Sequence, residues 1–590
     1  MNEFKIHTPA SSTGLHTPLT SPLAFRTIPE ALEAAPASQP FVTMWKNEQE
    51  VESVTFGDFR ALVSGQAVFL REHGVTSGDT VILVMPQGIS LMAVFTAALY
   101  LGAIPAILAY PNFKVDTSKY RFGLSGVSAN LKAHLVVVDD AFPKELVAHV
   151  SVGDRCNLAK TRADLPPPQT PIAPPHLNPD RIAFIQHSAG TTGLQKGVAL
   201  THAAVLRQIN HLASSLRLTS EDRIYSWLPL YHDMGLIACF MLPLICHLPI
   251  VMQSPTNWVM QPKTMLQLIS EYRCSLAWIP NFAFQFLARS ARPDDRSQYD
   301  LSSLRMLVNC SEPVRAASMD EFLAAYQPCQ LNPHVLQTCY AMAETVFAVT
   351  QSGWNGLTEP ARLWVDAGVL RKEHFARPVA PDASGGLCLV SSGACLPGTQ
   401  VYIVSENGDH LPSGHVGEIV IHSDAMLDGY FNRADLTANA LRDGSYLSGD
   451  LGFALDGELY VIGRKKDLII VGGENIYPQD IEEIISRHPS IHDGRAIAMG
   501  VYNSKLGTQE IVAVAEVNDE RDLQCTMEVE RELKMSIKSE LGVAVRAIYL
   551  KPPKWIIKST AGKPARSTTR EKLLSEHLEL SVDAQGGFDS

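Results

Sequence analysis

The chain has 590 residues, of which 46% are hydrophobic and 19% are charged. At roughly 100 to 200 residues per domain, this length predicts two to four domains, and the composition excludes a disordered protein. The 49 Lys and Arg residues against 61 Asp and Glu residues give a net charge of −12. This sign argues against a protein held on nucleic acid or anionic lipid by bulk charge. Any bound phosphate is therefore expected to be held by a local group of residues.

The chain begins with a segment rich in Ser, Thr and Pro, residues 1–25, which we interpret as a flexible leader. It contains no apolar run, so it is not predicted to be the core of a signal peptide. The ten cysteines are spread over the whole length without a CxxC pair. This spacing argues against a disulfide framework or a zinc ribbon and favours a reducing, cytoplasmic location. At the other end, residues 581–590 are predicted to form a disordered tail.

Two long apolar stretches are candidates for membrane-spanning segments. Ile89 to Tyr110 has no charged residue, and Met234 to Met252 is apolar apart from one histidine. Either is long enough to span a bilayer. However, Gly and Pro residues interrupt the first and Pro residues the second, and neither has a strongly basic flank. We therefore predict that both are helix-plus-strand segments inside a large α/β core, and that the chain has no transmembrane segment.

Short apolar runs of strand type alternate with longer stretches of helical period in the first half of the chain. This alternation predicts an α/β fold with parallel sheets and helices on their faces. From about Val401 the pattern changes to short strands separated by Gly and Asp turns, which predicts a smaller β-rich subdomain. The last part of the chain again has strands and amphipathic helices, which predicts a small α+β domain. The strand-like runs are Val81 to Met85, His134 to Val138, Arg181 to Ile185, Leu276 to Ile279 and Leu304 to Val308.

A glycine-rich segment, HSAGTTGLQKG at residues 187–197, follows one of these strand-like runs. Its small residues, hydroxyl groups and single lysine suit a loop that holds a phosphate through backbone N–H groups. It is not a Walker A loop, because Gln195 stands where that motif requires Gly before the lysine. A flexible glycine loop without a ligand is the alternative interpretation of this segment alone.

Six further motifs accompany this loop, and the whole ordered set resembles the adenylate-forming superfamily of acyl- and aryl-CoA synthetases, luciferases and adenylation domains. In chain order they are WLPLYHDMGL (227–236), NCSEPVR (309–315), YAMAET (340–345), LSGDLG (447–452), GRKKDLIIVGGENIYPQDIE (463–482) and KSTAGKPAR (558–566).

The resemblance implies a large N-terminal AMP-binding domain, residues 26–463, and a small, mobile α+β C-terminal lid domain, residues 464–580. The large domain is expected to contain two parallel-type sheets with flanking helices and the β-rich subdomain, with the active site between the two domains. The resemblance also implies two half-reactions. A carboxylate and ATP first give acyl-AMP and pyrophosphate, and an acceptor thiol then takes the acyl group.

The resemblance assigns the phosphate chemistry to five residues. Thr191, Thr192 and Lys196 match residues that contact the pyrophosphate end of ATP. Glu344 matches the glutamate that holds Mg²⁺, a cation that prefers carboxylate oxygen. Lys563 matches the lysine that reaches from the C-terminal domain to the α-phosphate and the attacking carboxylate, where it offsets the charge that develops on phosphorus.

The resemblance also assigns the nucleotide pocket. Tyr340 matches the aromatic that stacks on adenine, and Asp450 with Arg464 matches the pair that binds the ribose hydroxyls. Lys466, two residues after Arg464, matches the hinge about which the C-terminal domain rotates. The remaining nucleotide-binding residues implied by the motifs are Ser311, Glu312, Ala341, Met342 and Thr345.

The choice of acid depends on the residue after Tyr231. Amino-acid-activating domains place an aspartate there to hold the substrate ammonium, whereas this chain has His232, a candidate catalytic residue that suits an acid without positive charge. Asp233 follows directly, so this argument alone does not decide. The phrases PNFAF (280–284), SEPVRA (311–316) and DLIIVGGENIYPQDIEE (467–483) most resemble fatty acyl-AMP ligases.

That branch implies a fatty acid substrate, and transfer of the acyl group to the phosphopantetheine arm of an acyl carrier protein or of a synthase carrier domain in trans. An insertion at about residues 351–385 supports the branch, because inserts in this region are associated there with restrained domain motion and poor use of CoA. A tolerated surface loop is the alternative interpretation of the insertion. The alternative functions are an acyl-CoA synthetase that uses free CoA and a non-catalytic nucleotide- or lipid-binding module.

Overall fold

The computed structural model describes most of the chain, and the predicted residues Thr191, Thr192 and Lys563 lie outside the described residues. The predicted leader up to residue 18 and the predicted tail also lie outside them. The described residues are 19–111, 117–150, 157–162, 165, 172–187, 196–353, 358–471, 474–503, 506, 508–558, 564–577 and 580.

The described part of the chain folds as an α/β protein with two large sheets, a smaller β-rich sheet and a separate C-terminal core, as predicted. The helices are α1 (Ile28–Ala34), α2 (Phe56–Glu72), α3 (Ile89–Tyr100), α4 (Thr117–Leu131), α5 (His202–Ser215), α6 (Leu242–Cys246), α7 (Pro255–Met260), α8 (Thr264–Tyr272), α9 (Asn281–Ser290), α10 (Asp295–Gln298), α11 (Ala316–Tyr326), α12 (Ala367–Glu373), α13 (Ala434–Ala440), α14 (Pro478–Ser486), α15 (Thr526–Leu541) and α16 (Arg566–Glu576). The strands are β1 (Pro40–Asn47), β2 (Glu50–Thr55), β3 (Thr80–Val84), β4 (Ile104–Ile107), β5 (Leu135–Val138), β6 (Asn157–Lys160), β7 (Ile182–His187), β8 (Gly197–Thr201), β9 (Ile224–Ser226), β10 (Ile250–Gln253), β11 (Leu276–Ile279), β12 (Met306–Cys310), β13 (Leu336–Ala341), β14 (Ala348–Gln351), β15 (Arg362–Asp366), β16 (Gly386–Val390), β17 (Ala394–Cys395), β18 (Thr399–Val404), β19 (Gly417–Ser423), β20 (Gly429–Tyr430), β21 (Leu441–Arg442), β22 (Ser445–Leu455), β23 (Glu458–Arg464), β24 (Ile469–Val471), β25 (Glu474–Ile476), β26 (Ile491–Asn503), β27 (Thr508–Val517) and β28 (Val545–Lys551).

The first large sheet has seven strands in the order β20–β8–β7–β4–β3–β5–β6. Strands β3 to β6 are parallel to their neighbours within the sheet. Strands β3 and β5 consist of Val, Ile, Leu and Thr and are buried along their whole length, as expected for parallel strands covered on both faces. The predicted apolar runs overlap β3, β5, β7, β11 and β12, so those strand predictions are confirmed.

The two long apolar stretches are helix-plus-strand segments, as predicted. The first becomes α3, which is buried on nearly all sides, followed by β4. The second becomes a π-helical segment, Met234–Met241, followed by α6 and β10. Among the described helices, none is long and apolar enough to cross a bilayer.

The second large sheet has nine strands in the order β17–β14–β13–β12–β11–β9–β10–β1–β2. Strands β11, β12 and β13 are parallel neighbours, with Cys310 of β12 opposite Cys339 of β13. Carboxyl ends of parallel strands meet at one edge of a sheet, where ligands commonly bind. This register brings Ser311, directly after β12, to the same edge as Tyr340.

The β-rich sheet joins β18, β19, β22 and β21, with β23 paired to β22. The antiparallel register of β22 and β23 places Asp450 directly opposite Arg464. These two residues are 14 positions apart in the printed sequence, and the hairpin turn between the strands brings them side by side.

The C-terminal part of the chain has its own core. Strands β26, β27 and β28 form one sheet, and α14 and α15 pack their apolar residues against it. The amphipathic helices predicted for this part of the chain correspond to α14 and α15. We call residues 464–580 the C-terminal region and residues 19–463 the large region; the domain boundary between them stays a prediction.

The segment predicted as an insertion is folded and contacts the C-terminal region. It contains β15 and α12, and α12 lies against β25. Lys372 Nζ lies 3.2 Å from Glu474 Oε1, and Arg371 Nη2 donates to the carbonyl oxygen of Leu541 at 2.7 Å. His374 follows α12, and its Nδ1 lies 3.3 Å from the side-chain Nδ2 of Asn475. The insertion therefore contacts two elements of the C-terminal region.

Candidate active site

The buried carboxylate of Asp450 lies between a phenol and a guanidinium. Tyr340 Oη donates to Asp450 Oδ2 at 2.6 Å, and Arg464 Nε lies 3.2 Å from Asp450 Oδ1. Burial raises the pKa of Asp450, while the Arg464 charge and the Tyr340 hydrogen bond act in the opposite direction. The predicted adenine and ribose residues therefore form one connected group.

Glu344 lies on a short 3-10 turn, Ala343–Thr345, and its side chain is 8% exposed. Tyr430 Oη donates to Glu344 Oε1 at 2.7 Å and lies 3.2 Å from Tyr446 Oη. The Nζ of Lys196 lies 4.7 Å from the centre of the Tyr430 ring, a cation–π distance. Tyr430 therefore connects the lysine at the end of the predicted phosphate loop with the predicted magnesium ligand.

The backbone just after Glu344 makes a strained γ-turn. Val346 has φ +64° and ψ −53°, and Phe347 N donates to the carbonyl oxygen of Thr345 at 2.7 Å. This conformation is rare, especially for a β-branched residue. The Thr345 hydroxyl lies 3.2 Å from the Met342 carbonyl oxygen and 3.1 Å from that of Phe347. The Thr345 hydroxyl thus contacts the backbone on both sides of the turn that follows Glu344, and such strain is common at functional sites.

The same segment connects Ala341 and Met342 to the site through the backbone. Met342 N donates to the carbonyl oxygen of Phe347 at 2.8 Å, and Ala341 pairs with Ala348 at the end of β13. Both side chains are half-buried and pack against the large core. They connect Tyr340 to Glu344.

The loop after β12 contains a second backbone irregularity. Ser311 has φ +71°, in the left-handed region that favours glycine. Its hydroxyl lies 3.7 Å from Met234 Sδ, and Glu312 Oε2 accepts from Phe282 N at 3.0 Å. Glu312 therefore fixes the start of α9 relative to this loop.

His232 is held by its neighbour in sequence. Its Nδ1 lies 2.6 Å from Asp233 Oδ1, and that same oxygen accepts from Met234 N at 2.7 Å. The side chains of His232 and Asp233 are 15% and 12% exposed. Asp233 therefore already has two partners within the chain, and the imidazole is fixed at its Nδ1 side.

Lys466 lies in a region of positive charge. Partial burial lowers its pKa, and the charges of Arg464 and Lys196 lower it further. Removal from water would also lower the pKa of Arg464, but the charges of Asp450 and Asp467 raise it overall. The predicted hinge residue therefore lies close enough to the site to add to its electrostatic field.

Sequence reasoning missed Tyr430 and Tyr446, which contact Glu344 or each other. Tyr430 lies in β20, which pairs with β8 far away in sequence, and a tyrosine beside a glycine has no chemical signature of its own. Only the pairing of these strands brings the phenol to Glu344. The assignments of individual site residues from the motifs stay predictions, and those of Thr191, Thr192 and Lys563 lie outside the described residues.

Comparison with known families identifies most of the large region. Residues 30–431 match the model of the family described as AMP-binding enzyme. The long-chain-fatty-acid–AMP ligase FadD26 of Mycobacterium marinum is 30% identical over 566 residues, covering 90% of this chain and 94% of that protein. The medium-chain-fatty-acid–[acyl-carrier-protein] ligase JamA of Moorena producens is 28% identical over 564 residues, covering 92% and 93%.

Solved structures show the same fold over almost the whole length. A chain from a study of fatty acyl-adenylate ligases from E. coli and L. pneumophila has a TM-score of 0.87 and 27% identity, covering 95% of this chain and 100% of that one. The L. pneumophila fatty acyl-adenylate ligase in complex with acyl adenylate and pyrophosphate has a TM-score of 0.71 and 25% identity, covering 94% and 98%. The chain therefore belongs to the AMP-binding enzyme family and is an adenylate-forming enzyme.

Proposed function

We propose that the chain activates a fatty acid with ATP to an acyl-adenylate, releasing pyrophosphate, and then transfers the acyl group to the phosphopantetheine thiol of an acyl carrier protein. The observation that carries the proposal is the connected set of Tyr340, Asp450 and Arg464 beside the buried Glu344. The similarity to fatty acyl-AMP ligases over the whole length supports the choice of acid.

The site has groups that suit the ribose and adenine of ATP. Each carboxylate oxygen accepts more than one hydrogen bond, so Asp450 can accept from ribose hydroxyls while retaining Tyr340 and Arg464. The half-buried ring of Tyr340 offers an apolar face for a base, and Ser311 lies at the same sheet edge. We propose these residues as the nucleotide pocket.

The site also has a carboxylate that suits Mg²⁺. Tyr430 Oη donates to Glu344 Oε1, which orients the carboxylate, and carboxylate oxygen suits a hard cation. Such a site with one protein carboxylate is typical of magnesium held jointly with substrate phosphates. When bound, Mg²⁺ would neutralise phosphate charge. We therefore propose Glu344 as its protein ligand.

The cations around the site suit the adenylation step. A carboxylate oxygen bonds to the α-phosphorus while the bond to pyrophosphate breaks, so negative charge is concentrated at phosphorus and on the leaving group. Lys196 Nζ lies over the ring of Tyr430, whose hydroxyl donates to Glu344, and we propose that Lys196 binds that leaving group. We propose that Lys563 adds the second cation and that rotation of residues 464–580 about Lys466 removes it for the transfer step.

The surroundings of His232 favour an acid without a positive charge. Asp233 Oδ1 accepts from His232 Nδ1 and from Met234 N, so part of this carboxylate is already engaged within the chain, which favours an acid without an ammonium group. We propose that the fixed imidazole of His232 faces the acid as a catalytic residue.

A cluster of aromatic side chains supports the proposal that the acid has an apolar acyl tail. Trp227 and Trp258 stack with ring centres 3.9 Å apart, and Phe282 and Phe286 lie at their edges with 42% and 43% exposure. Phe282 N also donates to Glu312, so this cluster is continuous with the proposed nucleotide pocket. Large aromatic surfaces of this kind stabilise apolar ligands by excluding water.

The carrier-protein acceptor is supported by the name of JamA, a ligase for an acyl carrier protein, and by the folded insertion. The contacts of Arg371 and Lys372 hold the insertion to the C-terminal region, as expected of an element that restrains rotation. A second candidate acceptor is free CoA, because a putative fatty-acid–CoA ligase, FadD25 of Mycobacterium tuberculosis, is 28% identical over 88% of this chain and 91% of that protein.

The nine described cysteines are free thiols, which supports the proposed cytoplasmic location.

Mass spectrometry of the purified protein with ATP, Mg²⁺ and a ladder of fatty acids tests the first half-reaction. We expect acyl-AMP for at least one chain length, and Lys563→Ala should abolish its formation while leaving transfer from preformed acyl-AMP largely intact. Failure to form acyl-AMP from any acid would contradict the proposal. Equal loss of both steps in the variant would contradict the role of Lys563.

A further inference from the structure

Helix α15 presents an apolar and basic outer face to solvent. Its inner residues Val529, Leu533 and Ile537 are buried in the C-terminal core, whereas Met527 and Met535 on the outside are 85% and 53% exposed. Methionines at this exposure are unusual on a helix whose other outward residues are charged or polar. With Arg531 and Lys538 they line a shallow surface groove, which we call the α15 face.

The two cations of this face have no ion pair within the described part of the chain. Glu530 and Lys534 also line the groove, and they neutralise each other: Lys534 Nζ lies 2.8 Å from Glu530 Oε1. Glu532, outside the groove, lies 3.1 Å from His488, and Glu540 accepts from Arg487 at 2.9 Å.

The sign of this charge is opposite to that of the whole chain. At 100° per residue, Met527, Lys538, Arg531 and Met535 fall within about 80° of the helix circumference, with Glu528 at the margin beyond Met535. Two unpaired cations among exposed methionines on a chain of net charge −12 form a locally positive, apolar surface. Such a surface attracts an acidic partner with apolar side chains, whereas the like net charges of two copies of this chain repel each other at long range.

The α15 face begins beside the junction of the two regions. The last residue of α15, Leu541, accepts from Arg371 of α12 at 2.7 Å, and Lys538 lies one turn before it. In the arrangement that the structure shows, a protein docked here would therefore adjoin the seam between the large region and the C-terminal region, and it would move with the C-terminal region when that region rotates. A partner at this seam is well placed to present a thiol to a site that both regions form.

We propose that the α15 face is the docking surface for the carrier protein that accepts the acyl group, an acidic protein with apolar residues at its contact surface. This inference rests on the proposed function, which requires a protein-borne thiol. Arg531 and Lys538 steer and orient the carrier through charge, and Met527 and Met535 supply adaptable apolar contact. The face acts in the second half-reaction and has no part in acyl-AMP formation.

Steady-state kinetics with the full chain and a purified holo acyl carrier protein test the proposal. For the double variant Arg531→Glu and Lys538→Glu we expect the KM for the carrier to rise about tenfold with little change in kcat. The wild-type KM should also rise with salt more steeply than that of the variant, because exposed charges are screened. Lys144→Glu, an exposed lysine on the large region, is the matched control and should leave the KM unchanged.

Acyl-AMP formation without carrier is measured for every variant, which separates this inference from the proposed function. If the wild type forms no acyl-AMP, the proposed function is contradicted. If the wild type forms acyl-AMP and transfers the acyl group, but the double variant has the same KM for the carrier, only the docking surface is overturned. The milder variant Arg531→Ala with Lys538→Ala guards against damage to the helix and should give a smaller rise in KM. Binding of the wild type, but not of the variant, to phosphatidylglycerol vesicles with no effect on the carrier KM would also overturn the proposal.

Discussion

Tyr340 and Asp450 lie 110 positions apart in the chain, and the phenol donates a 2.6 Å hydrogen bond to the carboxylate. Tyr340 belongs to β13 in the nine-stranded sheet, whereas Asp450 belongs to β22 in the β-rich sheet. The bond therefore ties two sheets together at the candidate nucleotide pocket. Since the site depends on the relative position of the two sheets, this contact serves both packing and function.

Replacing Tyr340 by Phe should affect both stability and nucleotide binding. The variant loses a hydrogen bond to a buried carboxylate, which typically stabilises by about 1.5–3 kcal/mol. We expect a lower melting temperature and a KM for ATP raised several-fold. The control Tyr326→Phe also loses a buried hydrogen bond, to the Leu287 carbonyl, but lies outside the candidate site. A KM for ATP that rises equally in both variants would contradict the assignment.

Replacing Thr345 by Val should slow acyl-AMP formation. The hydroxyl lies within hydrogen-bonding distance of the Met342 and Phe347 carbonyls and holds the strained turn at Val346, so its loss lets Glu344 shift. We expect a stability loss of about 1 kcal/mol and a lower kcat for adenylation, measured by pyrophosphate release. Thr345→Ser retains the hydroxyl and should restore most of the rate. A Val variant that loses stability but keeps the wild-type kcat would show that the turn does not orient Glu344.

Asp480, at the start of α14, makes the contact between the two regions sensitive to pH. Burial and the charge of Glu483 raise its pKa to about 7, although Arg315 and Arg371 of the large region oppose the shift. Because this pKa exceeds the ordinary value near 3.8, the folded state holds the proton more tightly than the unfolded state. The resulting stability is present below about pH 4 and is lost as the pH rises through about 7.

Asp480→Asn imitates the protonated acid and tests this pH dependence. The variant should melt close to the wild type near pH 4 and at a higher temperature than the wild type at pH 8, as measured by thermal denaturation. The control Asp320→Asn removes a carboxylate that pairs with Arg362 within the large region. A variant advantage that is the same at both pH values would contradict the raised pKa.

Weakening the contact of α12 with the C-terminal region should increase the use of CoA. The double variant Arg371→Ala and Lys372→Ala removes the hydrogen bond to Leu541 and the ion pair with Glu474. If the insertion restrains rotation, we expect a several-fold higher rate of acyl-CoA formation, and the same direction of change when part of Gly353 to Asp382 is deleted. Arg362→Ala, which breaks a pair within the large region, is the control. Unchanged CoA turnover in folded variants would make the insertion an ordinary surface element.

Much of the fold followed from local patterns, whereas the charged site followed from the resemblance of the motifs to a known family. Strands such as β3 and β5 are short runs of mostly β-branched residues with one leucine each, a composition typical of buried parallel strands. The pairing of Asp450 with Arg464 was implied by the motifs, and the hairpin of β22 and β23 places them opposite each other. These features are encoded within short segments, so a single sequence is sufficient to predict them.

Features that depend on long-range packing were not predictable in the same way. Tyr430 reaches Glu344 only because β20 pairs with β8, about 230 positions earlier in the chain. The partner of Asp233 could also not be read from the order of Tyr231, His232 and Asp233, because it depends on side-chain direction. Such contacts depend on register and rotamer, which one sequence does not determine.

A competition between two acceptors of the acyl group tests the central claim most directly. Preformed acyl-AMP on the wild-type enzyme is offered equal concentrations of CoA and a holo acyl carrier protein, and both products are quantified by mass spectrometry in one reaction. The account predicts that acyl carrier protein accumulates in acylated form while acyl-CoA stays close to background. Prompt formation of acyl-CoA with no acylated carrier would contradict it and would identify the enzyme as an acyl-CoA synthetase.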